Sequence, residues 1–198
     1  MSTSHAIAGR SVRAVAARTT DLLNVLAEEG TGPADVARVP RAHGEREPVT
    51  GADVERMRGA AHRVRAVLAA EDTDGAAELV NRLLAETRPP RLTDHGGTTH
   101  WHVHVDSHDD APLDEWFLAS SCLVLALLLT DRQRPPGGLC AAHGCARAFV
   151  DCGSGSPRRY CPRRCATRAR VAAHRAAAGD GQTPEVTATA STSTSWSG

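Results

Sequence analysis

The sequence predicts a mainly α-helical fold with one small β-hairpin, followed by a small module built on four cysteines. Two observations carry this prediction. Apolar residues recur at helical spacing over most of the first 133 positions, and strict alternation is confined to residues 99–106. The four cysteines lie close together near the C-terminus. Because 198 residues leave room for one medium domain and a small module, we place the domains at 10–133 and 137–178.

Three amphipathic helices are predicted ahead of the alternating segment. They cover residues 11–28, 50–68 and 74–86. Gly30 ends the first helix, and the spacing of Thr50 and Asp53 resembles a capping box that begins the second. Pro89 stops the third. Residues 31–49, rich in Gly, Pro and charge, predict a loop.

A β-hairpin is predicted next, with Gly96 and Gly97 turning a short strand at 91–95 into the alternating strand. Trp101, Val103 and Val105 share one face of that strand, and His100, His102 and His104 share the other. Side chains two apart on a flat strand project in parallel and do not converge on one ion. We therefore expect a solvated histidine face.

The histidine strand also supports a rival hypothesis. Three imidazoles can hold a catalytic metal with an open position, which would make the upstream domain a metal-dependent hydrolase. Asp106, Asp109 or Asp110 would then assist, and the strand has a further interpretation as a weak metal-binding or pH-sensitive effector site. The chain contains no HExxH motif, phosphate-binding glycine loop or Ser/His/Asp signature. We therefore expect the protein not to be an enzyme.

An apolar helix is predicted over 112–130. Its longest apolar run, 116–129, is interrupted at 120–122 and has 14 residues, which is short of the roughly 20 that span a bilayer. It is therefore expected to be a buried core helix, and no membrane partner is expected. The N-terminus shows no secretory signal, so we expect a cytoplasmic protein, in which six cysteines favour metal binding over disulfides.

The four clustered cysteines predict a structural zinc site. Cys140 and Cys145 form one close pair, Cys161 and Cys165 form another, and 15 residues separate the pairs. This spacing is typical of a tetrahedral thiolate site in a treble-clef-like or ribbon-like module that holds one Zn²⁺ per chain. Residues 135–138 are expected to be a linker into this module. Cys152 is expected to be an ordinary loop residue, with a redox switch that releases zinc as the alternative.

A basic helix is predicted to begin at the second cysteine pair. Ten arginines and one acid between 132 and 178 give this region a net charge of +9, while the rest of the neutral chain carries −9. On a helical wheel, the cysteines share a face with Ala169, Ala172 and Ala176, which we expect to turn toward the body. The predicted DNA contacts are Arg158, Arg159, Arg163, Arg164, Arg168, Arg170 and Arg175.

The cysteine module resembles the CGNR zinc finger of bacterial, stress-induced transcription regulators. The resemblance rests on the cysteine spacing, on Phe149-Val150-Asp151, on Arg158-Arg159-Tyr160 and on His174-Arg175. The naming motif reads Cys-Ala-Thr-Arg over 165–168, and Tyr160 stands where tryptophan is usual. The resemblance implies that the four cysteines bind zinc and that an ABATE-type regulatory domain precedes the finger, with similarity over about 18–177.

Together these features predict a transcription regulator that binds double-stranded DNA. A homodimer and a small-molecule effector are further expected partners, and the nucleoid of a bacterial cytoplasm is the expected location. Binding of RNA, and an adaptor whose basic face meets an acidic protein, are the alternatives. Electrostatic docking of the module onto the acidic body is a third interpretation of the charge. Residues 179–198 predict a disordered Ser/Thr-rich tail.

Overall fold

The computed structural model describes residues 3–43, 48–108, 111–161 and 163–179, without the side chains of 3–11, 163 and 177–179. Six helices and four short strands are assigned within these ranges. The helices are α1 (Thr3–Val25), α2 (Pro33–Ala42), α3 (Gly51–Leu68), α4 (Thr73–Leu84), α5 (Leu113–Arg132) and α6 (Arg163–Gly179). The strands are β1 (Arg91–Thr93), β2 (His102–His104), β3 (Gly137–Leu139) and β4 (Ala148–Val150). The prediction of a mainly helical protein with a small hairpin is confirmed.

Helix α5 lies at the centre of the body and packs against α1, α3 and α4. By length and composition alone it could cross a membrane, but its buried residues belong to the main core. Phe117 and Leu125 meet there with Leu22, Met57 and Val64, each at most 1% exposed. The predicted core helix is thus observed, and burial of these side chains is the main source of stability in the body.

Helix α2 corrects the prediction of a loop over 31–49. Pro33 occupies the first turn, where its missing N–H costs nothing, and the Asp35 carboxylate accepts a hydrogen bond from the Gly32 N–H at 3.0 Å. Val36 and Pro40 are buried against the body. The glycine and proline that favoured a loop in the sequence are instead the residues that begin a short helix.

The other predicted helices agree more closely with the structure. Helix α3 begins at the expected capping box, in which Asp53 N–H donates to Thr50 Oγ1 at 3.2 Å and Thr50 N–H donates to the Asp53 carboxylate at 2.8 Å. Helix α1 is longer than predicted and begins at Thr3. The tail predicted over 179–198 lies outside the described residues, apart from Gly179 at the end of α6.

Two antiparallel hairpins complete the fold. Strand β1 pairs with β2 so that Thr93 lies opposite His102, and β3 pairs with β4 so that Gly138 lies opposite Phe149. Strand β3 begins at Gly137, inside the stretch predicted as a linker, because this hairpin packs directly against α1 and α3. Ala148 and Val150 belong to the same buried core as the helices.

Candidate metal centre

Two turns of chain bring the four cysteines together. In the first, Cys140 N–H donates to Arg147 C=O at 2.9 Å and Cys145 N–H donates to Ala142 C=O at 2.9 Å. Gly144, at φ 68°, supplies the left-handed residue of this tight turn. Cys161 precedes α6, and Cys165 lies in its first turn. A knuckle and a helix N-terminus thus supply two thiols each, as the predicted treble-clef-like module requires.

The spacing of the sulfurs fits a tetrahedral ion. The Sγ–Sγ distances are 3.7 Å for Cys145–Cys161, 3.8 Å for Cys161–Cys165 and 3.9 Å for Cys165–Cys145. Four sulfurs at 2.3 Å from one zinc ion lie about 3.8 Å apart. Cys140 Sγ completes the group, and its ligand atom lies within 4.8 Å of the others. None of the four forms a disulfide. The cysteines therefore form a closed site for one structural Zn²⁺.

Hydrogen bonding prepares the thiols unequally for metal. Burial raises the pKa of Cys140, but hydrogen bonds from the Cys161 and Ala142 amides outweigh it and lower that pKa to about 7. Burial, and then hydrogen bonds with its neighbouring thiols, raise the pKa of Cys161 to about 12. Because zinc binds thiolates, loading the site releases protons from the thiols that are still protonated.

Asp151 is a buried residue whose role sequence reasoning missed. Its carboxylate accepts hydrogen bonds from the backbone amides of Gly153 at 3.1 Å and Arg158 at 3.3 Å, and it forms an ion pair with Arg134 at 3.3 Å. Arg134 also donates to the carbonyls of Gly153 and Gly155. These bonds fix the loop that leads from β4 to Cys161. The sequence feature that could have indicated this role is the motif Phe149-Val150-Asp151, on which the family resemblance partly rests.

Cys152 does not have the properties of a reactive thiol. It is partly buried and packs against the main core. Burial, and then the neighbouring charge of Asp151, raise its pKa above the ordinary value for cysteine. A thiol that is more strongly protonated is less nucleophilic and less readily oxidised. These properties favour the interpretation as a structural loop residue.

The predicted DNA-contact residues fall into two groups. Arg158 donates to the carbonyls of Tyr160 and Cys161 and lies over the Phe149 ring at 5.0 Å, so it supports the module. Arg168 donates to His143 C=O at 3.4 Å and approaches Cys165 Sγ at 3.9 Å. Arg159, Arg164, Arg170 and Arg175 have exposed side chains. The side chain of Arg163 lies outside the described residues.

The alanine face of α6 does not turn toward the body as predicted. Ala172 and Ala176 are exposed, as is every described side chain from Arg170 to Ala176. Cys165 alone is buried in the described part of the helix, at its first turn. The helix therefore projects from the zinc site into solvent. Periodicity identified a face rich in alanine, of which Ala169 near the zinc site is half-buried and the two more distant alanines are exposed.

The histidine strand also differs from the prediction. Trp101 and Val103, on the apolar face of the alternating strand, are 69% and 51% exposed. His102 and His104 are half-buried, and His95 from the end of β1 joins them in a cluster. His100 is exposed and lies outside that cluster. Asp109 and Asp110 lie outside the described residues. The expected solvated face therefore holds for His100 but only in part for His102 and His104, and Val105 is the buried residue of the opposite, apolar face.

A basic cleft lies beside the contact between α1 and the zinc module. Its volume is about 530 Å³, and it opens between α1 and β4. Four arginines line it, from α1, from the knuckle, from the following loop and from α6: Arg13, Arg147, Arg158 and Arg164. Asp21 and Asp151 are the acidic residues on its walls. The cleft therefore lies where a bound anion would contact both the body and the module.

Residues 138–178 match the family model described as the CGNR zinc finger. The matched segment contains all four cysteines, β4 and nearly all of α6, which confirms the resemblance for this part of the chain. No curated protein matches the chain. The ABATE-type domain stays a prediction, because the match begins at residue 138.

Proposed function

We propose that this chain, a helical body carrying a CGNR-type zinc finger, binds double-stranded DNA and regulates transcription. The observation that carries the proposal is α6. This helix of 17 residues is held at its first turn by the cysteine site and otherwise projects into solvent. It contains five arginines and no acid. An isolated helix of this charge suits the major groove of DNA.

The exposed arginines of α6 are available for a partner. Within the described ranges, Arg159, Arg164, Arg170 and Arg175 form no ion pair, whereas arginines of the body such as Arg38 and Arg63 are paired with acids. Electrostatic docking of α6 onto the body therefore gains no support from the contacts. Arg147, which pairs with Glu28 at 4.0 Å, lies on the module but outside this helix.

The proposed DNA contacts are not equivalent. We assign direct contact first to Arg164, Arg170 and Arg175, whose side chains are exposed along the projecting helix. Arginine forms bidentate hydrogen bonds with guanine and also binds phosphate, so these residues serve both specificity and affinity. Arg158 and Arg168 act through the zinc module, because their guanidinium groups already bind its carbonyl oxygens. Zinc with four thiolate ligands has no open position, so its role is structural.

We assign the predicted small-molecule effector to the basic cleft. The basic cleft between α1 and β4 suits a small anion, and its walls belong to both the body and the finger. Because Arg164 lines the cleft and also lies in the first turn of the projecting helix, an anion there would compete with DNA for the same charge. The effector and a location on the bacterial nucleoid both depend on the DNA-binding proposal.

Selection from a random duplex DNA pool, at physiological salt and with the zinc-loaded protein, tests the proposal. The variant is Arg170→Ala/Arg175→Ala, which removes two exposed charges without touching the cysteine site. The matched control is Arg38→Ala/Arg82→Ala, which removes two exposed charges from the body. We expect a motif with wild type and control and none with the α6 variant. Two half-sites about one helical turn apart would indicate the homodimer.

Salt dependence gives a second readout from the same proteins. Each phosphate contact contributes about 0.9 to the slope of log affinity against log salt, so the α6 variant should lower that slope by about 2. Failure of every duplex pool to enrich, in wild type and variant alike, overturns the proposal. A single-stranded RNA pool is selected in parallel, and enrichment there alone would favour RNA binding instead. Few aromatic side chains are available for base stacking, which favours DNA.

A further inference from the structure

The β1–β2 hairpin gathers three imidazoles at one place on the body. His102 and His104 alternate along β2, and His95 folds back from the end of β1. The centroids of the three rings form a nearly equilateral triangle, with sides of 4.9, 5.0 and 5.0 Å. All three residues are half-buried, and one ligand nitrogen of each lies within 4.8 Å of the others. The cluster is separate from the cysteine site in the sequence and in its chemistry.

The nitrogen spacing in this cluster suits a metal ion. His95 Nε2 lies 3.2 Å from His102 Nε2. Two nitrogens bound to one tetrahedral ion at 2.0–2.1 Å lie about 3.3 Å apart. Neutral imidazole is a common ligand of Zn²⁺, Cu²⁺ and Ni²⁺ in proteins. The observed separation matches that of two nitrogens on a shared ion and also that of a direct hydrogen bond between the two rings.

Two of the rings are oriented by hydrogen bonds on their far side. His104 Nδ1 lies 2.6 Å from the carboxylate of Asp106, and His102 Nδ1 lies 2.7 Å from the carbonyl oxygen of His100. Both partners accept hydrogen bonds, so an Nδ1–H directed at each leaves Nε2 as the nitrogen available to a metal. The Arg91 guanidinium also lies 3.4 Å from His104 Nδ1. Metal-ligating histidines typically have such an acceptor behind the ring, which fixes both tautomer and orientation. Asp106 is itself buried and lies 3.7 Å from the Arg91 guanidinium.

The third ring is positioned by an unusual backbone. His95 has φ 50°, in the left-handed region that residues with a Cβ seldom adopt. Its N–H donates to Thr93 Oγ1 at 3.1 Å, and Gly96 N–H donates to the Asp94 carboxylate at 3.1 Å. Glycine would fit this position with less strain. Strain of this kind is concentrated at functional sites, and here it turns an imidazole toward β2.

We propose that His95, His102 and His104 bind one divalent transition-metal ion, Zn²⁺ or a neighbour such as Ni²⁺. Three protein ligands leave a fourth position for water or an exchangeable ligand, unlike the closed cysteine site. The fourth ligand on this ion would therefore be exchangeable, whereas the cysteine site has no such position. This ligand set differs from the triplet of the rival hypothesis, His100, His102 and His104, because His95 takes the place of His100.

Metal content of the untagged full-length protein tests the site. The zinc-loaded protein is titrated with Ni²⁺, and bound metals are counted by mass spectrometry after removal of excess ion. We expect two metals per wild-type chain and one per chain for His102→Ala. His100→Ala is the matched control on the same strand, since that residue supplies only its carbonyl oxygen. It should retain two metals per chain.

A second variant excludes a simple folding defect. His95→Asn removes the imidazole and keeps a residue that tolerates the left-handed backbone. We expect loss of the Ni²⁺ with the cysteine-bound zinc retained. One metal in wild type overturns the proposal, as does a second metal that both histidine variants keep. Asp106→Asn tests the positioning residue and should weaken Ni²⁺ binding by about 10- to 100-fold without loss of zinc.

Discussion

Asn24 shows how one side chain joins the helical body to the zinc module. It is 5% exposed on α1, where its Nδ2 donates to Ala148 C=O at 2.9 Å and its Oδ1 accepts from Ala148 N–H at 3.0 Å. Thr20 Oγ1, one turn earlier, accepts from Val150 N–H at 3.1 Å. An amide side chain thus pairs with a strand as a neighbouring backbone would. The contact links residues 124 positions apart.

Replacing Asn24 with alanine should therefore destabilise the whole protein. Asn24→Ala leaves the N–H and C=O of Ala148 without partners in a buried place, at a cost of about 2 to 4 kcal/mol. Chemical denaturation of the zinc-loaded protein measures the change. Asn81→Ala, on the exposed face of α4, should have little effect. Equal unfolding midpoints for the two variants would contradict this role for Asn24.

The sequence predicted the ligands of the zinc site correctly, but it did not predict which histidines form the second cluster. The cysteine pairs are local, so their spacing in the sequence was enough to predict a tetrahedral site. The histidine cluster depends on the φ of His95 and on the twist of a two-stranded ribbon. Alternation shows that His102 and His104 share a face, but it does not show that a residue beyond the strand folds back onto it.

At the scale of elements, the β3–β4 hairpin depends on glycine for close packing. A Cβ at Gly137 would lie 2.1 Å from Phe149 O and 2.8 Å from Leu68 Cδ2. Gly138 faces the Phe149 ring, where a Cβ would lie at 3.1 Å. These two residues, predicted as part of a linker, are therefore packing positions between β4 and α3.

A pair of glycine substitutions with opposite expected effects tests this packing. Gly137→Ala should destabilise by at least about 2 kcal/mol, because the clash is with backbone and one strand must move. Gly59→Ala, on α3 with nothing within 4 Å of the new Cβ, should stabilise by about 0.5 to 1 kcal/mol. Thermal unfolding of both variants measures the difference. A tolerated Gly137→Ala would show that this segment is the predicted linker after all.

Sequence patterns predicted most helices and strands, but they did not predict which of their faces are buried. Amphipathic spacing predicted α1, α3 and α4, and a long apolar run predicted α5, since each of these helices buries residues in the body. The same argument failed for α6, whose alanine face is exposed. The sequence did not predict α2, because Gly32 and Pro33 were interpreted as helix-breaking residues, whereas they form the N-cap and first turn of that helix. Periodicity shows which residues share a face, and only tertiary packing decides whether that face is buried.

At the scale of the molecule, the zinc site and the body form one continuous structure. The outer face of β4 belongs to the helical core, and the hairpin leads directly into the first cysteine. The division of the chain into domains at 10–133 and 137–178 remains a prediction. The contacts indicate that the two parts are thermodynamically coupled.

Zinc should therefore stabilise the helices as well as the finger. A ligand at 1,000 times its dissociation constant contributes about 4 kcal/mol, which raises the Tm of a chain of this size by roughly 10 °C. Far-ultraviolet circular dichroism during heating follows the helices of the body with and without a zinc chelator. If the helical transition occurs at the same temperature in both, the body and the module are uncoupled. Added zinc should restore the higher Tm.

The side chains that α1 presents to β4 have a further consequence for solubility. The outward backbone groups of a two-stranded ribbon are a template on which another chain can add a strand. Asn24 and Thr20 occupy three of those groups, the N–H and C=O of Ala148 and the N–H of Val150. Helix α1 therefore blocks β-pairing of this strand with another molecule. A zinc finger expressed without α1 would expose an unpaired strand edge that favours aggregation.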